Sequence, residues 1–394
     1  MVTVGADNGA ASRSSRRTKS AAVANATLHG IGGDRVVTYE SPLSCSTFSL
    51  AGNAVVGHNS DHATPILQSL VTNPRGVAKV GVSFEELVSG TAPEGPTLSW
   101  TSTYGSWTMH PFGREFPDAG ANEAGLTVHE MTLTGSKFAE PDGQRPVLFT
   151  ANWMQSILDR FATVAEVLED LPRLVIDGWA WHFYVTDRTG QSAAIEFLGG
   201  QAKVHTGAEL PVTALCNAPY AAELALLPLV DGFGGAATVD PADLEVSRFW
   251  HAARGLQADL PGDQVEHALG LLRTLERGTT QSQWVWDLDG ERVLWSTPQA
   301  RARKWVRLHD LDVSEGATPR IIDLHHPAAG DVTDLMEPLD GDGTDRLATN
   351  IANLFGDAME PILQAHGGSM DGLVKRIADH GRRSLPEPTM KGAS

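Results

Sequence analysis

The spacing of apolar residues along this chain changes from alternation to a helical period and back again. Short alternating runs, rich in β-branched and aromatic residues, fill the segment from about residue 45 to 133 and predict strands. CSTFSL and NAVVGH lie on either side of Ala-Gly-Asn and predict a β-hairpin. Further strand-like runs are KVGVSFEEL, TLSWTSTYGSWTMHPF and GLTVHEMTL.

Helical spacing appears in TANWMQSILDRFATVAEVLEDLPRL, where apolar residues at three- and four-residue intervals predict a helix that ends at Pro172. PADLEVSRFWHAARGLQADL and GDQVEHALGLLRTLER predict two more helices. Strand pairs are predicted around Arg-Thr-Gly in 181–206 and around Asp-Gly in 281–297, and KWVRLHDLD predicts one more strand. Strands, then helices, then strands predict an α+β fold in which sheets and helices form layers.

Both ends of the chain differ from this central part. Residues 1 to about 34 are rich in Ala, Ser, Gly, Asn and Arg without an apolar period, so we expect a partly disordered leader over 1–44. From about residue 345 the pattern predicts amphipathic helix broken at Pro361 and at Gly367-Gly368. The predicted organisation is therefore a main domain over 45–340 and a C-terminal helical extension over 345–394, which we expect to serve oligomer contacts.

Composition narrows the classes of partner. The 394 residues include 48 acidic and 30 basic ones, a formal net charge of −18 that repels phosphate backbones and anionic lipid. No run approaches 18 apolar residues, the length that a membrane-spanning helix needs. From the charge and the absence of such a run together, we expect no nucleic acid and no membrane as partners. Arg16-Arg17 is typical of a twin-arginine signal, but the AAVANATL that follows is too short and weakly apolar. We therefore expect a cytoplasmic rather than an exported protein.

Cys45 is the candidate for chemistry that the residues themselves single out. It opens the first hairpin, and Asp61 follows one strand and one turn later. A cysteine reacts as its thiolate and needs a base nearby, and an N-terminal cysteine carries one, because its α-amine has a pKa of about 8. Asp61 would pair with that amine. The alternative is a buried structural cysteine and a turn aspartate, with Cys216 a second free thiol.

Five blocks of the chain, in order over about residues 45–310, resemble the choloylglycine hydrolase family of bile salt hydrolases and penicillin V acylases. The blocks are CSTFSLAGNAVVGHNSD, GANEAGLTVHEMTL, ALCNAPYAAEL, EVSRFWHAARGL and TTQSQWVWDLDGERVLWST. The resemblance implies the αββα four-layer sandwich of N-terminal nucleophile hydrolases. It also implies that the chain is cut after Ser44, by itself or by a protease, so that Cys45 becomes N-terminal.

The resemblance also implies a role for each site residue. Cys45 would attack an amide carbonyl, and Asp61 would hold its amine. Asn122 and Asn217 would supply amide donors near the oxyanion or the nucleophile, and Arg248 would lower the pKa of the thiol or fix a carboxylate. The residues alone leave open that Asn122 and Asn217 are turn residues and that Arg248 is a surface charge or an ion-pair partner.

Two positions depart from the family pattern, and no motif for a metal or a nucleotide occurs. His58 stands where the family usually has arginine, so a permanent cation is replaced by a group that titrates near pH 6.5 and that we regard as a possible auxiliary residue. His251, or a displaced Arg254, stands at the second arginine of the Ser-Arg-Phe block. Since no Cys-x-x-Cys, His-Glu-x-x-His or phosphate-binding Gly-rich loop occurs, we expect no metal and no cofactor.

The expected function is hydrolysis of a linear amide through an acyl-Cys45 thioester. The substrate would be a small N-acyl compound such as penicillin V, a conjugated bile acid or an N-acyl homoserine lactone. One alternative is an acyltransferase resembling the isopenicillin N acyltransferases, and another is a non-catalytic protein on the same fold. The resemblance also implies a homo-oligomer, with a tetramer as the form that fits it.

Overall fold

The computed structural model describes residues 26–28, 36–38, 45–239, 244–257 and 262–385. The helices are α1 Phe84–Ser89, α2 Thr150–Arg160, α3 Val164–Asp170, α4 Tyr220–Leu226, α5 Leu244–Gln257, α6 Gln264–Thr274, α7 Gly341–Ala365 and α8 Met370–Arg383. The first strands are β1 Ala26–Leu28, β2 Val36–Thr38, β3 Ser46–Ser49, β4 Val55–Asp61, β5 Ser69–Asn73, β6 Ala78–Val80, β7 Ser99–Thr101, β8 Ser106–His110, β9 Ala119–Asn122, β10 Thr127–Thr132 and β11 Val147–Phe149. The others are β12 Val175–Asp177, β13 Trp181–Thr186, β14 Ser192–Leu198, β15 Gln201–Thr206, β16 Ala214–Leu215, β17 Thr280–Asp287, β18 Arg292–Ser296, β19 Lys304–Arg307, β20 Arg320–Asp323, β21 Gly330–Asp331 and β22 Glu337–Pro338.

Two large sheets form the centre of the molecule. One has nine strands in the order β15-β14-β13-β10-β9-β8-β5-β20-β22. The other has seven strands in the order β16-β3-β4-β17-β18-β19-β21, and only its β19–β21 pair is parallel. A nearly all-antiparallel arrangement agrees with the alternating patterns and tight turns of the sequence.

Three apolar clusters show how the layers stack. Between the sheets lie residues from both of them, including Leu70, Trp107, Trp284 and Trp286. The other face of the nine-stranded sheet is covered by α2, α3, α7 and α8, and the other face of the seven-stranded sheet by α5 and α6. The order is therefore helices, sheet, sheet, helices, and the predicted α+β four-layer sandwich is confirmed.

Local sequence explains where the first elements turn. Gly52 and Asn53 have φ of 80° and 57°, which is the left-handed region that these two residue types tolerate best, and they link β3 to β4. The predicted hairpin is therefore confirmed. The run KVGVSFEEL is a strand only at its start, because Ser83 accepts a hydrogen bond from the backbone N–H of Glu86 and starts α1.

The helix predicted up to Pro172 is two helices. Phe161 leaves α2 with extended backbone, and Thr163 and Glu166 form a reciprocal capping box that starts α3. The apolar period continues across this break because both helices bury the same face against the nine-stranded sheet. Periodicity alone therefore missed the break.

The C-terminal helices share a core with the rest of the molecule. Ile351, Leu363 and Ile377 are buried in the same apolar cluster as α2. The predicted break at Pro361 is wrong, since α7 runs through it, while the break at Gly367-Gly368 is confirmed. Burial of Met359 and Leu363 on either side of the proline offsets the backbone hydrogen bond that it cannot make.

Most of the predicted leader, 1–44, lies outside the described residues, apart from the antiparallel pair β1 and β2. Within the described part of the chain, no helix is both long and apolar enough to cross a membrane. The expected oligomer contacts of the C-terminal helices stay a prediction.

Candidate active site

Strand pairing brings three of the predicted site residues together. Cys45 directly precedes β3, and β16 pairs with β3 so that Leu215 lies opposite Thr47. In this antiparallel register, the residue two positions after Leu215 lies beside the residue two positions before Thr47. Asn217 is therefore beside Cys45. Asp61 ends β4, the neighbour of β3 on its other side, where it lies opposite Thr280.

Arg248, on α5, joins two of these residues from the helical layer. Its Nη1 donates a hydrogen bond of 2.8 Å to the backbone carbonyl of Cys45, and its Nη2 donates one of 2.8 Å to Oδ1 of Asn217. The Asn217 Nδ2 in turn donates to the carbonyl of Thr132 at 2.6 Å. The amide of Asn217 is therefore fixed in orientation, and Nδ2 carries a second hydrogen for a further acceptor.

Asp61 is a buried carboxyl with one oxygen held. Thr280 donates from its hydroxyl to Oδ1 at 2.5 Å, while Oδ2 has no hydrogen-bond partner among the described residues. Burial raises the pKa of Asp61 to about 6, against the opposing effects of the Arg248 charge and the Thr280 hydrogen bond. Oδ2 is therefore the atom that is available to accept from an amine.

Cys45 is itself buried, and its sulfur faces oxygen atoms. Sγ lies 3.8 Å from the carbonyl of Asp61 and 3.9 Å from Oε1 of Glu130. Burial, followed by the charges of Glu130 and Asp61, holds the pKa of the Cys45 thiol well above its usual range. The predicted lowering of that pKa by Arg248 is not found, because the guanidinium binds the Cys45 carbonyl rather than the sulfur.

A second group of buried residues holds the segment that carries Asn217. Nε2 of His182, on β13, donates to the carbonyl of Cys216 at 2.7 Å, and its Nδ1 lies 3.2 Å from Glu196 on β14. The same carboxylate accepts from the backbone N–H of Tyr220 at 2.8 Å. Glu196 thus fixes the segment around Asn217 from both ends.

The structure does not bring Asn122 to this group. Its Nδ2 donates to the carbonyls of Leu158 and Phe161, and its Oδ1 accepts from the backbone of Ala124 and Leu126. All four contacts close the β9–β10 turn and the end of α2. The role of an oxyanion donor is therefore corrected to that of a turn and helix-end residue.

His58 also lies away from the Cys45 sulfur. Its ring is stacked between His129 and Trp284, with centroid distances of 5.2 Å to each, and both of its nitrogens are buried without a partner among the described residues. Burial and the neighbouring His129 hold the pKa of His58 well below its usual range. His58 is thus a neutral ring between the sheets and does not replace the arginine charge that the family pattern has here.

Several of these residues were missed from sequence. Glu130, whose Oε1 lies 3.9 Å from Cys45 Sγ, stands in the strand-like run GLTVHEMTL. A charged residue inside an apolar strand is the signal that marks it. His182 and Glu196 lie in strands that were predicted only as sheet, and no local spacing links them. No group of three or more metal-ligating side chains occurs within the described residues.

Comparisons with known proteins agree with this geometry. A sequence profile of the linear amide C-N hydrolases, choloylglycine hydrolase family, matches residues 45–267. Penicillin V acylase of Pectobacterium atrosepticum is 30% identical over 175 residues, which are 40% of this chain and 46% of that protein, so the match spans under half of its length. The structure is similar to that of penicillin V acylase from Agrobacterium tumefaciens, with a TM-score of 0.64 and 23% identity over 75% of this chain and 98% of the other. A mutant of the conjugated bile acid hydrolase from Clostridium perfringens gives a TM-score of 0.57 and 17% identity, over 73% of this chain and 98% of that chain.

Proposed function

Because the chain belongs to the choloylglycine hydrolase family of linear amide C-N hydrolases, we propose that it hydrolyses a small N-acyl amide with Cys45 as an N-terminal nucleophile. The observation that carries this proposal is the convergence of Cys45, Asp61, Asn217 and Arg248 from four separate segments of the chain. Removal of residues 1–44 is part of the proposal, since it frees the α-amine of Cys45.

The reaction follows from these positions. The α-amine takes the proton of the Cys45 thiol, and the sulfur attacks the amide carbonyl carbon. The C–N bond breaks as the ammonium gives its proton to the leaving amine, and a thioester remains on Cys45. Water then gives a proton to the α-amine and attacks the thioester, the thiol regains that proton, and the free acid leaves. Asp61 holds the charged amine between these transfers through Oδ2.

Asn217 and Arg248 act on geometry and charge. The Asn217 amide, fixed by Arg248 and Thr132, presents its second N–H to the oxyanion that forms beside Cys45. Arg248 holds the Cys45 carbonyl, so the backbone that bears the sulfur and the amine has one orientation. Losing one oxyanion donor typically costs about 100–1000-fold in rate.

The first substrate to test is penicillin V, because a relative with that activity in its name is 30% identical to this chain over 175 residues. A conjugated bile acid and an N-acyl homoserine lactone test the other acyl types. Release of free amine and free acid is measured for the wild-type protein, Cys45→Ala and Cys216→Ala. Cys216 is the matched control. It is also a buried cysteine without a disulfide, but it directly precedes Asn217 and is not the proposed nucleophile.

The proposal predicts hydrolysis by the wild type and by Cys216→Ala and none by Cys45→Ala, with unchanged thermal unfolding in both variants. Full activity of Cys45→Ala would refute the nucleophile. The same assay with an added second amine separates hydrolysis from acyl transfer: a new amide in place of the free acid would overturn the assignment as a hydrolase.

A further inference from the structure

Glu130 places a carboxyl group against the sulfur of the nucleophile. It lies on β10, in the nine-stranded sheet, whereas Cys45 directly precedes β3 of the seven-stranded sheet. Its Oε1 is 3.9 Å from Cys45 Sγ, and the residue is only 6% exposed. None of the proposed reaction steps uses the carboxyl group of Glu130.

The surroundings of Glu130 favour its neutral, protonated form. Its Oε2 is buried without a hydrogen-bond partner, and no cation forms an ion pair with it among the described residues. Burying an ionised carboxyl without a cation or N–H donors is costly, so such a group retains its proton. Burial, and then the charge of Asp118, holds the pKa of Glu130 well above its usual range, against a smaller opposing effect of the Cys45 hydrogen bond.

Other titratable groups face this pair from each neighbouring element. Asp118, just before β9, is buried and accepts a hydrogen bond of 2.5 Å from Gln68, and burial raises its pKa to about 8. Asp61 faces Cys45 from β4, and Arg248 approaches from α5. Both carboxyls beside Glu130 and Cys45 therefore add negative charge as the pH rises, and Arg248 binds the backbone rather than the sulfur.

We propose that Glu130 is a further catalytic residue, which donates a hydrogen bond from its protonated carboxyl to the Cys45 thiolate and, on ionising, suppresses that thiolate. A neutral acid beside sulfur stabilises the thiolate as a donor, and a carboxylate at the same distance repels it. Glu130 thus sets an upper pH limit on the reactivity of the nucleophile. No bond is made or broken in this step, and the proton stays on the carboxyl.

The role in catalysis depends on the proposed function, but the effect on the thiol is measurable without any amide. The rate of Cys45 alkylation by iodoacetamide, followed by mass spectrometry, is measured from pH 5 to pH 10 in Cys216→Ala protein. The variants are Glu130→Gln, which keeps a donor and cannot ionise, Glu130→Ala, which has no donor and cannot ionise, and Asp177→Asn as a matched control. Asp177 is likewise a largely buried carboxyl with a raised pKa, but it contacts the start of α1 rather than Cys45.

For Glu130→Gln we expect alkylation like the wild type at neutral pH and at least about tenfold faster at the alkaline end, because the repulsion is gone. For Glu130→Ala we expect slower alkylation than Glu130→Gln at neutral pH. Asp177→Asn should follow the wild type. Identical pH curves for wild type and Glu130→Gln would overturn the proposal. It would also be overturned if Glu130→Gln were alkylated more slowly by the same factor at every pH and unfolded at a lower temperature.

Hydrolysis assays of the same proteins separate the two proposals. If the alkylation curve shifts in Glu130→Gln while no amide is hydrolysed by the wild type, the assignment of Glu130 to the thiol stands and the proposed function falls. If amides are hydrolysed and kcat/KM of Glu130→Gln does not exceed that of the wild type at alkaline pH, the catalytic role of Glu130 is refuted.

Discussion

The guanidinium of Arg248 donates a hydrogen bond of 2.8 Å to the backbone carbonyl of Cys45, 203 residues earlier in the chain. This contact, with the one to Asn217, ties the helical layer to the start of β3. A guanidinium satisfies both acceptors at once because its donors are set in a rigid, planar fork. The residue on α5 therefore fixes the geometry of a site on the sheet.

Arg248→Lys should lower kcat at least about tenfold, because a single ammonium cannot hold both acceptors in that geometry. The measurement is steady-state hydrolysis of the best amide found, with thermal unfolding as the check on folding. Arg254→Lys is the control, since Arg254 lies about one and two-thirds turns further along the same helix and stacks on Trp250 instead. Equal kcat for Arg248→Lys and the wild type would show that the two hydrogen bonds of Arg248 do not contribute to catalysis.

Asn217 and Asn122 should behave differently on truncation. Asn217→Ala removes the oriented amide beside Cys45 and should lower kcat by at least about tenfold with little change in unfolding temperature. Asn122→Ala leaves buried backbone groups at the β9–β10 turn without partners, each costing about 1–3 kcal/mol, and should lower the unfolding temperature instead.

The two asparagine variants are compared by active-site titration, so that kcat refers to folded protein only. A large drop in kcat for Asn122→Ala at unchanged stability would restore the role that the family resemblance gave to this residue. The reverse pattern for Asn217→Ala would show that its amide only supports the fold.

Asp61 should make stability depend on pH. Its pKa is about 6 in the folded chain against an ordinary value of 3.8, so the folded state binds the proton more tightly. The stability that this protonated carboxyl contributes is fully present below pH 3.8 and is lost as the pH rises through 6. At pH 7, Asp61→Asn should therefore raise the free energy of unfolding by about 3 kcal/mol.

This comparison is made in Cys45→Ala protein, in which no thiol attacks and the chain is expected to keep its leader. Denaturant unfolding at pH 4 and pH 7 is the measurement, with Asp61→Asn matched to its parent at each pH. We expect Asp61→Asn to raise the free energy of unfolding at pH 7 and to raise it less towards pH 4. An equal effect at both values would mean that a lost contact, rather than ionisation, controls the stability.

Local sequence patterns predicted much of the fold, because hairpins are specified by residues that lie close together in the chain. Alternation, the Gly52-Asn53 turn and the Asp289-Gly290 turn gave the hairpins of the seven-stranded sheet. The break between α2 and α3 was missed because the apolar period continues through it, and only the Thr163 cap marks the new start. Pro361 was overvalued as a breaker because tertiary burial on both sides was not visible in the sequence.

The site was predictable only in part. The ordered blocks led to Cys45, Asp61, Asn217 and Arg248, and the structure brings these four together. Asn122 was misassigned because an asparagine before a glycine turn has the same local pattern whether it binds a substrate or closes the turn. Glu130 was missed because its importance depends on contact with Cys45 across two sheets, 85 residues apart in sequence.

In the proposed reaction, Cys45 acts as an N-terminal nucleophile. The most direct test is intact-mass measurement and N-terminal sequencing of the active protein, with Cys45→Ala beside it. We expect the hydrolytically active chain to begin at Cys45 and to have lost the mass of residues 1–44, and we expect the Cys45→Ala chain to have no activity in either form. An active chain that retains residues 1–44 would contradict the claim, because the α-amine of Cys45 would then be held in a peptide bond.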